Sequence, residues 1–186
     1  MKQRIIFWLI GAIIALLALL SGARCSHASD RYDVLIQKYS RVYFSRAVDW
    51  LYFKSQVKAE SAFNPNARSY VGAVGLIQVM PFTSREIAKE LGIPNLPANP
   101  EININMGIYY DRKCWSIFKS EQGMERLWYM FGAYNAGPGG VIRAQHKAEQ
   151  NNLCTNEWVC INAFVPNETR TYVQRIREYY REYREE

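Results

Sequence analysis

At 186 residues, 49% of them hydrophobic, the chain is too apolar for wholesale disorder and long enough for one ordinary domain behind a short leader. A net charge of +6, with bases and acids interleaved, argues against a nucleic-acid partner, for which no aromatic–basic motif is present either. The residual positive charge favours anionic surroundings such as a membrane surface.

Lys2 and Arg4 precede an apolar run from Ile5 to Leu20, interrupted only by Gly11, and Ser21-Gly22-Ala23 comes next with small residues. Residues 1–23 therefore read as an export signal. The run is just short of the ~20 residues that span a bilayer, so a retained anchor through residues 5–20 is the alternative. A lipoprotein reading would use Cys25 but meets Arg24 where a small residue is needed. Each reading puts the domain, residues 24–186, outside the cytoplasm. There the four cysteines, Cys25, Cys114, Cys154 and Cys160, point to disulfides. Cys154 and Cys160 are close enough to pair locally, with Cys114 pairing to either as the competitor. His27 and His146 complete no metal-ligand spacing, so no metal and no cofactor are expected.

From there the periodicity is helical. Tyr32, Leu35, Ile36, Tyr39 and Tyr43 form one face. A helix is predicted from Ala47 to about Ser61, stopped because Asn64 precedes Pro65. Residues 64–75 read as a loop, and Leu76 to Met80 as an apolar turn ending at Pro81. Thr83 or Ser84 is the expected cap of the next helix, which Gly92, Pro94 and Pro97 close. Further helices are predicted from Glu101 to about Phe118, opened by Pro100, from Gly123 to Tyr134, and from Val141 to about Gln150. Residues 151–166 read as irregular, and Asn167 to Glu186 as a charged helix whose mixed charges suggest a solvated face without a binding role. With no alternating stretch for a sheet, the class is all-α.

Glu60 stands out from this background. A lone glutamate on a helix is normally solvated. Glu60, however, lies near the C-terminal end of its predicted helix, among Val57, Ala62 and Phe63. The negative end of the helix dipole and burial would both raise its pKa, as a general acid requires. Gly72 and Gly75 allow a close backbone approach. Taken alone, Gln78 is a surface amide, Asn135 a helix cap and Tyr172 core packing.

Together the residues say more. Glu60-Ser61, Gly75-Leu76-Ile77-Gln78, Asn103-Ile104-Asn105-Met106-Gly107, Ala133-Tyr134-Asn135-Ala136-Gly137 and Glu168-Thr169-Arg170-Thr171-Tyr172 occur in that order. This series resembles the soluble lytic transglycosylase family over about residues 31–180. The resemblance implies a goose-lysozyme-like helical domain with a substrate cleft, acting on peptidoglycan glycan strands in the periplasm or cell envelope. It implies Glu60 as the catalytic acid, with Ser61, Ser69, Gln78, Tyr134, Asn135 and Tyr172 binding substrate. Met80 and Phe63 read as cleft wall or core, and Glu168 as a first-turn carboxylate. Ordinary glycosidases need two carboxylates. With Glu168 set aside as a first-turn carboxylate, the motifs leave one acid, which suits substrate-assisted chemistry; the resemblance implies cleavage between N-acetylmuramic acid and N-acetylglucosamine with closure of a 1,6-anhydro ring. A goose-type lysozyme using water and a non-catalytic wall-binding domain are the alternatives.

Overall fold

Helical periodicity becomes helix over most of residues 30–185, the part of the chain that the computed structural model describes, with a long loop at 62–80 and no strand among these residues. The leader and Cys25 lie outside them, so the readings of a signal, an anchor or a lipid-bearing cysteine are not addressed. The chain forms two units, 1–34 and 35–186. Of the first, the described part is the entry into helix α1, Asp33–Phe44.

Helix α2 spans Leu51–Ser61 and begins four residues later than the periodicity suggests. The Asp49 carboxylate accepts the Leu51 N–H at 3.1 Å, ending the turn before it. Its other end also differs in cause. Ala62 and Phe63 both turn left-handed, at φ 49° and 63°, so the helix stops before the Asn64–Pro65 restriction acts. Helix α3, Pro81–Leu91, opens on Pro81 itself. Thr83 and Ser84 thus lie inside it rather than capping it, since proline's missing N–H fits a first helical position. Gly92 closes it at φ 62°, as expected.

Asn99 caps α4, Pro100–Ile117, through its side chain. Helix α5, Gly123–Ala136, is buried without interruption from Leu127 to Ala133 and is the central strut of the domain. Helix α6, Pro138–Gln150, starts three residues before the predicted Val141, again at a proline. The segment read as irregular contains a short helix, α7, Trp158–Ile161, and a 3₁₀ turn, Asn162–Phe164. Cys154 and Cys160 flank the start of this segment and are disulfide-bonded, leaving Cys114 buried as a free thiol. No helix among the described residues is long and apolar enough to cross a membrane.

Helix α8, Asn167–Glu185, keeps most of its charged residues on an exposed face, as expected, while its other face packs along α2 and α5. Tyr180 stacks face to face on Tyr52 with ring centroids 3.7 Å apart. Lys58 stands 4.1 Å over the Tyr179 ring and pairs with Glu182 at 2.7 Å, and Arg177 lies over Trp128. Tyrosine rings and long basic stems cover apolar surface while their polar tips stay wet, which a charge pattern alone does not reveal.

Candidate active site

Glu60 occupies the last turn of α2, and the chain beyond Ser61 forms a loop locked from three sides. Ser61 Oγ donates to the Leu76 carbonyl at 2.7 Å. Tyr134 Oη, from α5, donates to the Ile77 carbonyl at 2.7 Å. From α4, Asn103 Nδ2 donates to the Val74 and Pro97 carbonyls, both at 2.8 Å, while its Oδ1 accepts the Ile77 N–H at 2.9 Å. Gly75, at φ 85°, admits this buried amide, and a Cβ there would overlap the Asn103 side chain. Gly107 makes room for Ile77 in the same way. The locked turn holds Gln78 at φ 50°, in the left-handed region that non-glycine residues avoid. Gln78 Nε2 stabilises that turn by donating to the Gly75 carbonyl at 2.8 Å and the Ala67 carbonyl at 3.2 Å. Its carbonyl oxygen has no partner among the described residues.

Two adjoining hollows meet at Gln78 and Asn135. The larger, about 400 Å³, is lined by Ala59, Glu60, Ser69, Gln78, Asn135, Glu168, Thr171, Tyr172 and Arg175. The smaller, about 290 Å³, continues past Tyr110, Tyr134, Met80 and Gly137. Of the residues singled out in the sequence, Glu60, Ser69, Gln78, Asn135 and Tyr172 thus share one cleft, and Tyr134 lines its extension. Ser61 lines neither hollow and is committed to the loop. Tyr134's hydroxyl is committed likewise, and its ring packs against Tyr110 at 5.4 Å between centroids. Ser69 Oγ accepts the Ala73 N–H at 2.9 Å and Asn135 Oδ1 accepts from Thr169 Oγ1 at 2.7 Å.

The electrostatics centre on Glu60. Its side chain is partly open to the cleft, yet dense protein surrounds the carboxyl. Burial pushes its pKa up to about 8; the Tyr172 hydroxyl facing it pulls the other way, and the Glu168 charge adds to the rise. Tyr172 is buried and its hydroxyl makes no hydrogen bond of good geometry, so Glu60 is the group it answers to. Burial first, and then the charge of Glu60, hold that phenol well above its usual range.

Sequence reasoning missed Thr171 and Arg175 and assigned Glu168 only a helix-stabilising place. Glu168 does sit in the first turn of α8, but it also lines the cleft. The four residues 168, 171, 172 and 175 form one stripe at steps of three and four. Once Tyr172 is assigned, that spacing is the signal that finds the others. Among the described residues the one close group of metal-type ligands is Cys154, Glu157 and Cys160, and its two sulfurs are spent in the disulfide.

The all-helical architecture around this cleft is that of a lysozyme-like domain. Residues 44–155 match the transglycosylase SLT domain, and the chain belongs to that family. It is 31% identical over 174 residues to the soluble lytic murein transglycosylase of Escherichia coli K12, covering 90% of this chain and 26% of that protein. It is 26% identical to the membrane-bound lytic murein transglycosylase F of Aeromonas hydrophila, covering 81% of this chain and 34% of the relative. Among solved structures, the 70 kDa soluble lytic transglycosylase of E. coli superposes with a TM-score of 0.66 at 29% identity, over 90% of this chain and 27% of that one. The complex of the 70 kDa soluble lytic transglycosylase with bulgecin A gives 0.68 at 28% identity, over 91% and 27%. The chain spans about a quarter of the length of the first of these relatives.

Proposed function

We propose that this chain is a lytic transglycosylase that cleaves peptidoglycan glycan strands between N-acetylmuramic acid and N-acetylglucosamine, with Glu60 as its acid and base. The observation that carries this reading is the Glu60 carboxyl, open to a cleft yet raised to about 8 by burial, hence protonated at neutral pH and ready to donate. Its proton goes to the glycosidic oxygen as the bond from that oxygen to the muramic C1 breaks. The sugar's own acetamido oxygen bonds to C1 and holds the developing charge. The sugar's 6-hydroxyl oxygen then attacks C1, the acetamido oxygen leaves, and the hydroxyl proton passes to the Glu60 carboxylate. A 1,6-anhydro ring results and no water is consumed. Gln78 and Asn135, where the two hollows meet, suit the hydroxyls and acetamido groups of a sugar chain lying along both. Ser69 and Tyr172 complete the first hollow's wall. No cofactor is invoked.

A second reading is favoured by one feature. Glu168 adds another carboxylate to the cleft, and a water held by it would make the chain a hydrolase. Digestion of purified peptidoglycan separates the two. Anhydro products are about 18 mass units lighter than hydrolysis products and are inert to borohydride. Reducing ends that take up hydride, with Glu168→Gln abolishing them, would establish the lysozyme reaction instead.

Action on the wall requires export, for which residues 1–23 supply a signal or an anchor. Its relatives are named both soluble and membrane-bound. N-terminal sequencing of soluble and membrane envelope fractions tells a chain cut after Ala23 from one that keeps the leader. An intact chain confined to the cytoplasm would contradict both.

A further inference from the structure

Beneath the cleft lies a second acid that the proposed reaction does not use. Asp111, on α4, is completely buried, as is Gln56 on α2. Gln56 Nε2 donates to Asp111 Oδ1 at 3.3 Å. That leaves one oxygen on each group, Asp111 Oδ2 and Gln56 Oε1, buried without a donor. Two stranded acceptors on partners already joined by one hydrogen bond are costly, because a buried polar atom without a partner forfeits the hydrogen bonds it made to water. A single proton satisfies both: placed on Oδ2, it turns the carboxylate into an acid whose O–H is donated to Oε1. The two groups then close a two-bond acid–amide ring.

We propose that Asp111 is held as a neutral carboxylic acid paired to Gln56, and that this pair is a positioning element for Glu60. Gln56 precedes Glu60 by four residues, one turn of the same helix, so the ring fixes the rotation of α2 against α4 where Glu60 emerges. The surroundings agree. The titratable groups facing Asp111 are Glu60 from α2, Tyr134 from α5, Tyr172 from α8, and Tyr110 and Cys114 from α4 itself. None is a cation. Burial and the Glu60 carboxylate both drive the Asp111 carboxyl well above its ordinary range, against the opposing Gln56 hydrogen bond. Asp111 therefore stays protonated while Glu60 cycles between acid and base, and the floor beneath it remains uncharged.

The positioning role rests on Glu60 being the acid, whereas the protonation state does not, and each has its own readout. In the purified chain labelled with ¹³C at aspartate carboxyls, the signal missing from Asp111→Asn identifies Asp111. It should hold the protonated shift from pH 5 to 8 without titrating. A carboxylate shift at pH 7 would overturn the proposal whether or not the chain cleaves peptidoglycan. Asp111→Asn reproduces the ring with an amide and should keep kcat within about twofold, with an unchanged pH profile. Asp111→Ala, if folded, should lower kcat by about tenfold or more with KM nearly unchanged, since misplacement of a reacting group costs rate rather than binding. A tenfold loss in folded Asp111→Asn would instead mean that an ionised aspartate is needed, and would sink the idea.

Discussion

Replacing the Glu60 carboxyl by an amide should separate chemistry from stability. Glu60→Gln removes the transferable proton at nearly constant shape, so turnover should fall by about 10²–10⁴-fold. Stability should move the other way. The folded pKa of about 8 lies above the ordinary glutamate value of 4.5, so between those pH values the folded state binds more protons than the unfolded one. Stability therefore declines as pH rises through that window, and the full cost is present above pH 8. The amide carries no such cost. Urea melts should show Glu60→Gln matching the wild type near pH 4 and exceeding it by ~2–4 kcal/mol at pH 8.5. In the wild type, peptidoglycan cleavage should decline as pH rises through about 8, where the acid loses its proton; a rate flat to pH 10 would assign the acid elsewhere. The sequence made Glu60 legible because a polar residue lay among apolar ones at a helix end. Tyr172 was legible only through the family series, since a buried tyrosine and a cleft tyrosine are alike in sequence. Asp111 carried no signal at all. Its burial depends on how α4 rotates toward α2, which local periodicity does not determine.

Among the elements, the loop 74–78 illustrates how a motif acquires its meaning. The sequence placed Asn103 and Gly107 within a recurrent series but supplied no task for them. In the structure Asn103 makes three hydrogen bonds to backbone of residues 74, 77 and 97, and Gly107 leaves room for Ile77. Asn103→Ala strands buried backbone groups and should cost ~2–4 kcal/mol, while loosening the turn that presents Gln78. Thermal melts and kinetics together check this: a stable variant with unaltered KM would show that the latch is dispensable. Helix existence was readable from periodicity throughout, while boundaries shifted wherever a specific group intervened. Pro81 starts α3 before the expected caps Thr83 and Ser84, Pro138 starts α6 before the predicted Val141, and Asp49 starts α2 later. The packing of helix α8 was not legible, because its tyrosines and basic stems pack through their carbon atoms, a use that charge counting does not detect.

The disulfide belongs to the architecture on the far side of α5. Tyr129 Oη and Gln145 Nε2 both donate to the Thr155 carbonyl, at 2.6 and 3.0 Å. The Glu125 carboxylate accepts the Trp158 N–H at 2.5 Å. With the loop so tethered, and Cys154 and Cys160 six residues apart, reduction should cost only about 2 kcal/mol in the chain-entropy account. The melting temperature should fall in reductant while peptidoglycan cleavage at 25 °C persists. Loss of activity on reduction would tie the loop to the cleft. Helix α8 has a different kind of importance. The acid and the phenol that faces it are 112 positions apart, as their numbers show, and Tyr172 lies beyond the span matched by the family. Until α8 docks, Glu60 lacks both the Tyr172 phenol and the Glu168 charge that face it. A chain clipped before Asn167 would present Glu60 in a cleft lacking the wall made by Glu168, Thr171, Tyr172 and Arg175. Completion of the cleft thus waits on the docking of α8 against α2 and α5.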